Sequence, residues 1–192
     1  MKKVVLYLNQ FFGQIGGEDK ADYKPKIVEG DIGAAKALNT YIKDGQVTHT
    51  IICGDNFMGS NQEEAVETII NELEKIEFDI FAAGPAFQAG RYGSACGIIC
   101  KAVRDKFNVP VITSMHEENP GVDMFKDELI ILKGGKSAAA MRKNMKKVAE
   151  YINKIIDGEP ILFADEEGYF GRGIRHQVWL NNKKTAAERT EQ

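Results

Sequence analysis

Arg91 and Tyr92 stand where an apolar run, residues 78–83, has stopped at Gly84-Pro85 and a helix rich in small residues begins. A guanidinium and a phenol beside the free N–H groups of a helix start suit a carboxylate or a phosphate. Three other stretches offer comparable groups: Gly16-Gly17-Glu18-Asp19-Lys20, Gly54-Asp55-Asn56 and His116-Glu117-Glu118-Asn119. Asp55, Asn56, His116, Glu117 and Asn119 are assigned to the rim of the cleft that Arg91 and Tyr92 would serve.

The remaining groups offer weaker chemistry. His116 with Glu117, Glu118 and Asp55 would suit a divalent metal, but the i, i+4 histidine pair and the clustered Cys/His spacing that make such a signal strong are absent, and no metal is expected. Cys96 and Cys100 share one helix face among Ala, Gly and Ile neighbours and read as buried, inert thiols. Cys53 ends a strand just before a binding loop and is the thiol to test for reactivity. Gly134-Gly135-Lys136-Ser137 suggests a phosphate loop, yet Ile130 occupies the place of the earlier glycine. Ser137 serves instead as a helix N-cap or a simple anion contact.

The elements that must position these residues alternate along the chain. Residues 3–9, 47–53, 78–83, 109–114 and 129–132 read as strands, short and nearly all apolar. Helical spacing appears at 33–43, from an Asn61 N-cap to about 75, at 93–107, and from Ser137 to about 156. The expected fold is α/β: an open, mainly parallel sheet of about five strands with helices on both faces. In such a sheet the loops leaving the strands share one edge, where ligands bind. Residues 1–157 read as the α/β domain, and 158–192 as an irregular extension ending in a polar, frayed tail.

Bulk properties narrow the field. The chain has 192 residues, 43% hydrophobic and 28% charged, which is ordinary for a folded protein able to bury a core. A net charge of -3 leaves no basic excess for nucleic acid. No segment has the length to cross a bilayer, the first apolar run is too short for a signal peptide, and three cysteines point to free thiols in a reducing cytoplasm.

Taken in order, Gly16-Gly17-Glu18-Asp19-Lys20-Ala21-Asp22, Ile52-Cys53-Gly54-Asp55-Asn56-Phe57-Met58-Gly59, Ala83-Gly84-Pro85-Ala86-Phe87-Gln88-Ala89-Gly90-Arg91-Tyr92-Gly93 and Ser114-Met115-His116-Glu117-Glu118-Asn119-Pro120-Gly121 closely resemble selenoprotein B of the glycine/sarcosine/betaine reductase complex. Residues 133–143 and Gly168-Tyr169-Phe170-Gly171-Arg172-Gly173 extend the match to nearly the whole chain. The resemblance implies an oxidoreductase subunit of anaerobic amino-acid fermentation. In that family a pyruvoyl-bearing partner subunit forms a Schiff base with the substrate amine, and a selenocysteine of protein B attacks the α-carbon. The carboxymethyl group passes to selenoprotein A, and a third component releases acetyl phosphate.

Family members are longer and carry a Sec-x-x-Cys motif that has no counterpart here: no residue U occurs, and neither Cys53 nor Cys96 has a Cys three positions later. The chain is therefore expected to be the N-terminal half of protein B, without cofactor of its own and inactive alone. The alternative is a non-catalytic module that docks the pyruvoyl-bearing subunit. Glycine, sarcosine and betaine are not distinguished, since Tyr92, Phe57 and Phe87 are the only local aromatics for a quaternary-ammonium cage. A homo-oligomer is compatible with the sequence.

Overall fold

The computed structural model describes residues 1–171. The first strand, β1 (Lys2–Leu8), is buried from Val4 onward on both sides, because its alternate side chains enter two different cores. Val5 and Tyr7 point into one; Val4, Leu6 and Leu8 point into the other. A strand buried on both faces belongs at the centre of a sheet, and β1 lies there.

The remaining strands are β2 (Lys26–Glu29), β3 (Gly45–Ile52), β4 (Ile80–Ala83), β5 (Val111–Met115) and β6 (Ile130–Lys133). The sheet order is β2-β3-β1-β4-β5-β6, with every pairing parallel except β2 with β3. The sheet thus has six strands where the sequence suggests about five. Lys26-Ile27-Val28-Glu29 is half-buried at an edge, and its pairing comes from β3 rather than from a pattern of its own.

Helices α1 (Ala35–Tyr41) and α6 (Met141–Ile156) cover one face, burying Leu38, Met145, Val148 and Ile152. The other face is covered by α2 (Asp55–Ser60), α3 (Gln62–Leu73), α4 (Gly90–Phe107) and α5 (Pro120–Phe125). The stretch after Gly54, read as a loop, is helix α2. Asn61 does begin α3, but its side chain makes no capping bond. Ser137 accepts a bond from Ala139 at 3.4 Å and caps the short turn that leads into α6.

Beyond Gly158 a last short helix, α7 (Ala164–Glu167), is tied to α6 by the Lys154–Glu167 ion pair at 2.9 Å. Tyr169 then bridges Leu132 in antiparallel fashion, so this segment docks on the free edge of β6. The polar tail expected to fray, like Arg172 and Gly173, lies outside the described residues. Among the described residues no helix is long and apolar enough to cross a membrane.

Small residues set how closely α4 approaches α5. A methyl group on Gly97 would fall inside the ring of Phe125, and one on Gly93 would collide with the Asn119 side chain. Replacing Gly97 by Ala should therefore overpack this contact and cost about 1–3 kcal/mol despite the better helix propensity of Ala. Urea denaturation checks this; an unchanged or raised midpoint would show that the helices separate freely.

Candidate functional site

The chain leaves β1 toward β3 on one side, and leaves β4 toward β5 on the other. Loops that depart in opposite directions open a crevice at the strand ends, the usual ligand position in such sheets. Here it is a cleft of about 430 Å³ lined by Asn9 to Phe12, Gly17, Glu18, Asp55 and Ala89 to Tyr92.

Asn9 and Gln10 follow β1 directly and are buried. The Asn9 amide donates to Asp55 Oδ2 at 2.9 Å, while its own oxygen accepts from the Phe12 N–H at 2.9 Å. Gln10 Oε1 accepts from the Asp55 N–H at 3.0 Å. The long β1–β2 connection is pinned onto α2: Gly54 donates to Tyr23 at 2.8 Å, and Asn56 and Phe57 both donate to the Ala21 carbonyl. Gly54 has to be glycine because a Cβ would collide with the backbone of Ala21. This clamp carries Glu18 across the cleft mouth, where it meets Arg91 at 2.6 Å.

Asp55 forms the floor. It is only 6% exposed, and among the described residues its Oδ1 finds no hydrogen-bond partner. Burial pushes its carboxyl up to about 6, against the downward pull of the Asn9 hydrogen bond and the Arg91 charge, with Glu18 adding to the rise. Tyr92 is fully buried beside it, and neither its hydroxyl nor that of Tyr7 makes a hydrogen bond of ordinary geometry. Burial holds both phenols well above their usual range. Phe12 stacks on Tyr92 with ring centroids 5.8 Å apart, and Phe11 meets Phe12 edge-on at 5.0 Å.

This cleft sits inside a chain that matches the profile of "Glycine/sarcosine/betaine reductase selenoprotein B (GRDB)" over residues 1–192. The chain belongs to that family. It is 62% identical over 98% of its length to the betaine reductase complex component B subunit beta of Peptoclostridium acidaminophilum. It is 45% identical over 94% to the glycine reductase complex component B subunit gamma of Carboxydothermus hydrogenoformans, and 42% over 97% to the sarcosine reductase complex component B subunit beta of P. acidaminophilum. It spans 42–43% of the length of these relatives. No solved structure matches it.

For a selenoprotein B chain, the residues singled out in sequence divide into two groups. Arg91, Tyr92 and Asp55 come together in the cleft, although Tyr92 is walled in rather than on the rim. Asn56 lies beside it on α2 and bonds Asp22 instead. His116, Glu117 and Asn119 stand outside the cleft lining. Asn119 is buried and structural: its amide donates to the Phe87 and Ala89 carbonyls at 3.0 Å each, and its oxygen caps α5 through Gly121. His116 accepts from the Glu118 N–H at 3.1 Å, and Glu117 is exposed.

Cys53 points away from solvent, and burial pushes its thiol up to about 12, so the buried sulfur is held as the thiol at neutral pH. Cys96 and Cys100 are buried and free, with their thiols raised likewise. Among the described residues no three His, Cys, Asp or Glu side chains are grouped to hold a metal. Among the described residues the aromatics lining the cleft are Phe11, Phe12 and Tyr92, whereas Phe57 and Phe87 are buried in the core. Asn9, Gln10, Phe11 and Phe12 carry no site assignment from sequence, and Glu18 stands there among the strand-end groups without its pairing to Arg91. The available signal was Asn9-Gln10 placed directly after a strand of buried apolar residues.

The raised Asp55 carboxyl has a definite sign. The folded chain binds its proton more tightly than the unfolded chain, so stability from this group is full below pH 4 and is lost as pH rises through about 6. Asp55→Asn removes the buried charge and should stabilise the chain at pH 8 by on the order of 2 kcal/mol more than it does at pH 4. Denaturant melts at the two pH values check this; an equal effect at both would show that Asp55 is solvated in the folded chain.

Proposed function

We propose that this chain is the N-terminal portion of component B of a betaine-type reductase complex and helps present an N-methylated amino acid for reductive cleavage of its C–N bond. The observation that carries this reading is the 62% identity to a betaine reductase component B subunit, against 45% and 42% to glycine and sarcosine counterparts. The cleft is consistent with the role. Arg91 is half-exposed at its mouth, available to a substrate carboxylate, and the aromatic rings lie inside.

In such a complex the selenocysteine and the pyruvoyl group supply the bond-breaking chemistry, and neither is contained in these 192 residues. The chain alone is accordingly inactive. Its proposed partners are the pyruvoyl-bearing subunit, selenoprotein A and the component that forms acetyl phosphate, all in the cytoplasm.

A second reading, that the chain is a docking module for the pyruvoyl-bearing subunit, is favoured by one observation. His116, Glu117 and Glu118 form a polar loop on the same sheet edge but outside the cleft. The two readings separate on Arg91. Arg91→Ala should leave the circular dichroism spectrum unchanged, because its ion pair is exposed and contributes about 0–1 kcal/mol. In a reconstituted complex the same substitution should lower turnover of betaine at least tenfold. Unchanged turnover would remove the cleft from the reaction and leave docking as the role.

A further inference from the structure

Among the described residues, two oxygen atoms in the cleft wall lack partners although burial demands them. Asp55 is more than nine-tenths buried and Tyr92 wholly buried, and among the described residues neither Asp55 Oδ1 nor the Tyr92 hydroxyl makes a hydrogen bond of ordinary geometry. Leaving such groups unsatisfied is costly, and more so for a charged one. Among the described residues, the cation that lines the cleft does not resolve this, because Arg91 is engaged with Glu18 at the mouth. Two carboxylates thus share one guanidinium, which leaves an uncompensated negative charge on the cleft floor. The lining also carries Phe11 and Phe12, and Phe12 stacks on the buried Tyr92.

A negative floor beside aromatic rings suits an ammonium group, and alkylated ammonium best, because ring faces attract cations whose hydration is weak. An exposed Arg–Glu pair is easily exchanged, since solvent screens it and the two side chains gain freedom when it parts. A ligand carboxylate that takes the place of Glu18 conserves the charge on Arg91 while releasing the Glu18 loop. Both ends of one small molecule are thereby specified.

We propose that the cleft binds a small α-ammonium carboxylate zwitterion with its cationic end toward Asp55 and Phe12, its carboxylate on Arg91, and Glu18 as an internal competitor for that arginine. The inference rests on the reading of the chain as a substrate-handling part of the complex, and it adds the two ends of the site and the residue that opposes binding. Asp55 is a binding residue here, with no proton transfer assigned to it.

Isothermal titration calorimetry of the 192-residue chain at pH 7.5 tests this with three probes: glycine betaine, acetate and tetramethylammonium. Glycine betaine should bind more tightly than either half-molecule. Asp55→Asn should weaken it at least tenfold with the fold retained by circular dichroism, and Glu18→Gln should tighten it several-fold. The opposite sign for Glu18→Gln distinguishes competition from loss of structure. Absence of glycine betaine binding, or Asp55→Asn affinity within twofold of wild type, overturns the site.

Turnover separates this inference from the functional reading on which it rests. A complex reconstituted with the remainder of component B that reduces betaine with an unchanged KM in Asp55→Asn sinks the site and leaves the role standing. Asp55-dependent binding to the chain, with no betaine turnover by the wild-type complex, leaves the site standing and sinks the role.

Discussion

One side-chain amide joins the parts of this molecule that matter for ligand chemistry. Asn9, the residue that follows the central strand, donates to Asp55 and accepts from Phe12. The first bond ties the end of β1 to the start of α2 after β3. The second turns the chain so that Phe12 stacks against Tyr92 in the first turn of α4. Three strand ends are thereby registered through a single planar group, whose fixed geometry leaves little freedom at either end. Asn9 can act in this way only because it is buried, where competing water is excluded and each bond gains strength.

The burial that strengthens those bonds also creates the electrostatic character of the cleft. Among the described residues Asp55 receives one hydrogen bond from a side chain and no cation in direct contact, so desolvation dominates and its carboxyl is held up. Natural cores tolerate such a charge where something else uses it. The surrounding structure does not relax to remove it, because the clamp of residues 21–23 on Gly54 and the core residues Phe57 and Met58 hold the first turn of α2 in place. The position of Asp55 is imposed by packing, and its unpaired oxygen is a consequence.

The far side of α4 shows how the same helix serves structure and site at once. Its small face, Gly93 and Gly97, lets α5 come close, and Asn119 uses that closeness to bind the carbonyls of Phe87 and Ala89. Those two carbonyls belong to the loop that delivers Arg91. The loop after β5 therefore acts on the cleft through the backbone that it holds. A polar residue in a strand-end loop supports a site as readily as it lines one.

Much of the architecture was legible in the chain itself. Short apolar runs alternating with amphipathic stretches determine a mainly parallel sheet covered on both faces, because strands with no polar side must be sandwiched. The same reading brought Arg91 and Asp55 to one sheet edge, since the ends of parallel strands converge wherever such a sheet forms. Strand β2 was not legible: four residues flanked by Pro25 and Gly30, with only Ile27 and Val28 half-buried, acquire their structure from an edge that β3 offers. The clustered segments around Gly54, Arg91 and His116 also sufficed to indicate the family.

Tertiary structure alone decided which of the loop residues face the cleft. Asn119 and Asn9 are the same residue type, each beside a strand-end loop, yet one caps a helix and the other braces the cleft floor. Composition and spacing do not distinguish them, because the role of an amide is set by which donors and acceptors the fold brings within hydrogen-bonding distance. Cys53 became a shielded thiol, Tyr92 a wall, and Glu18 the partner of Arg91 for the same reason. Sequence supplies the groups and the edge on which they gather; the packing of helices against that edge determines which of them remain unpaired.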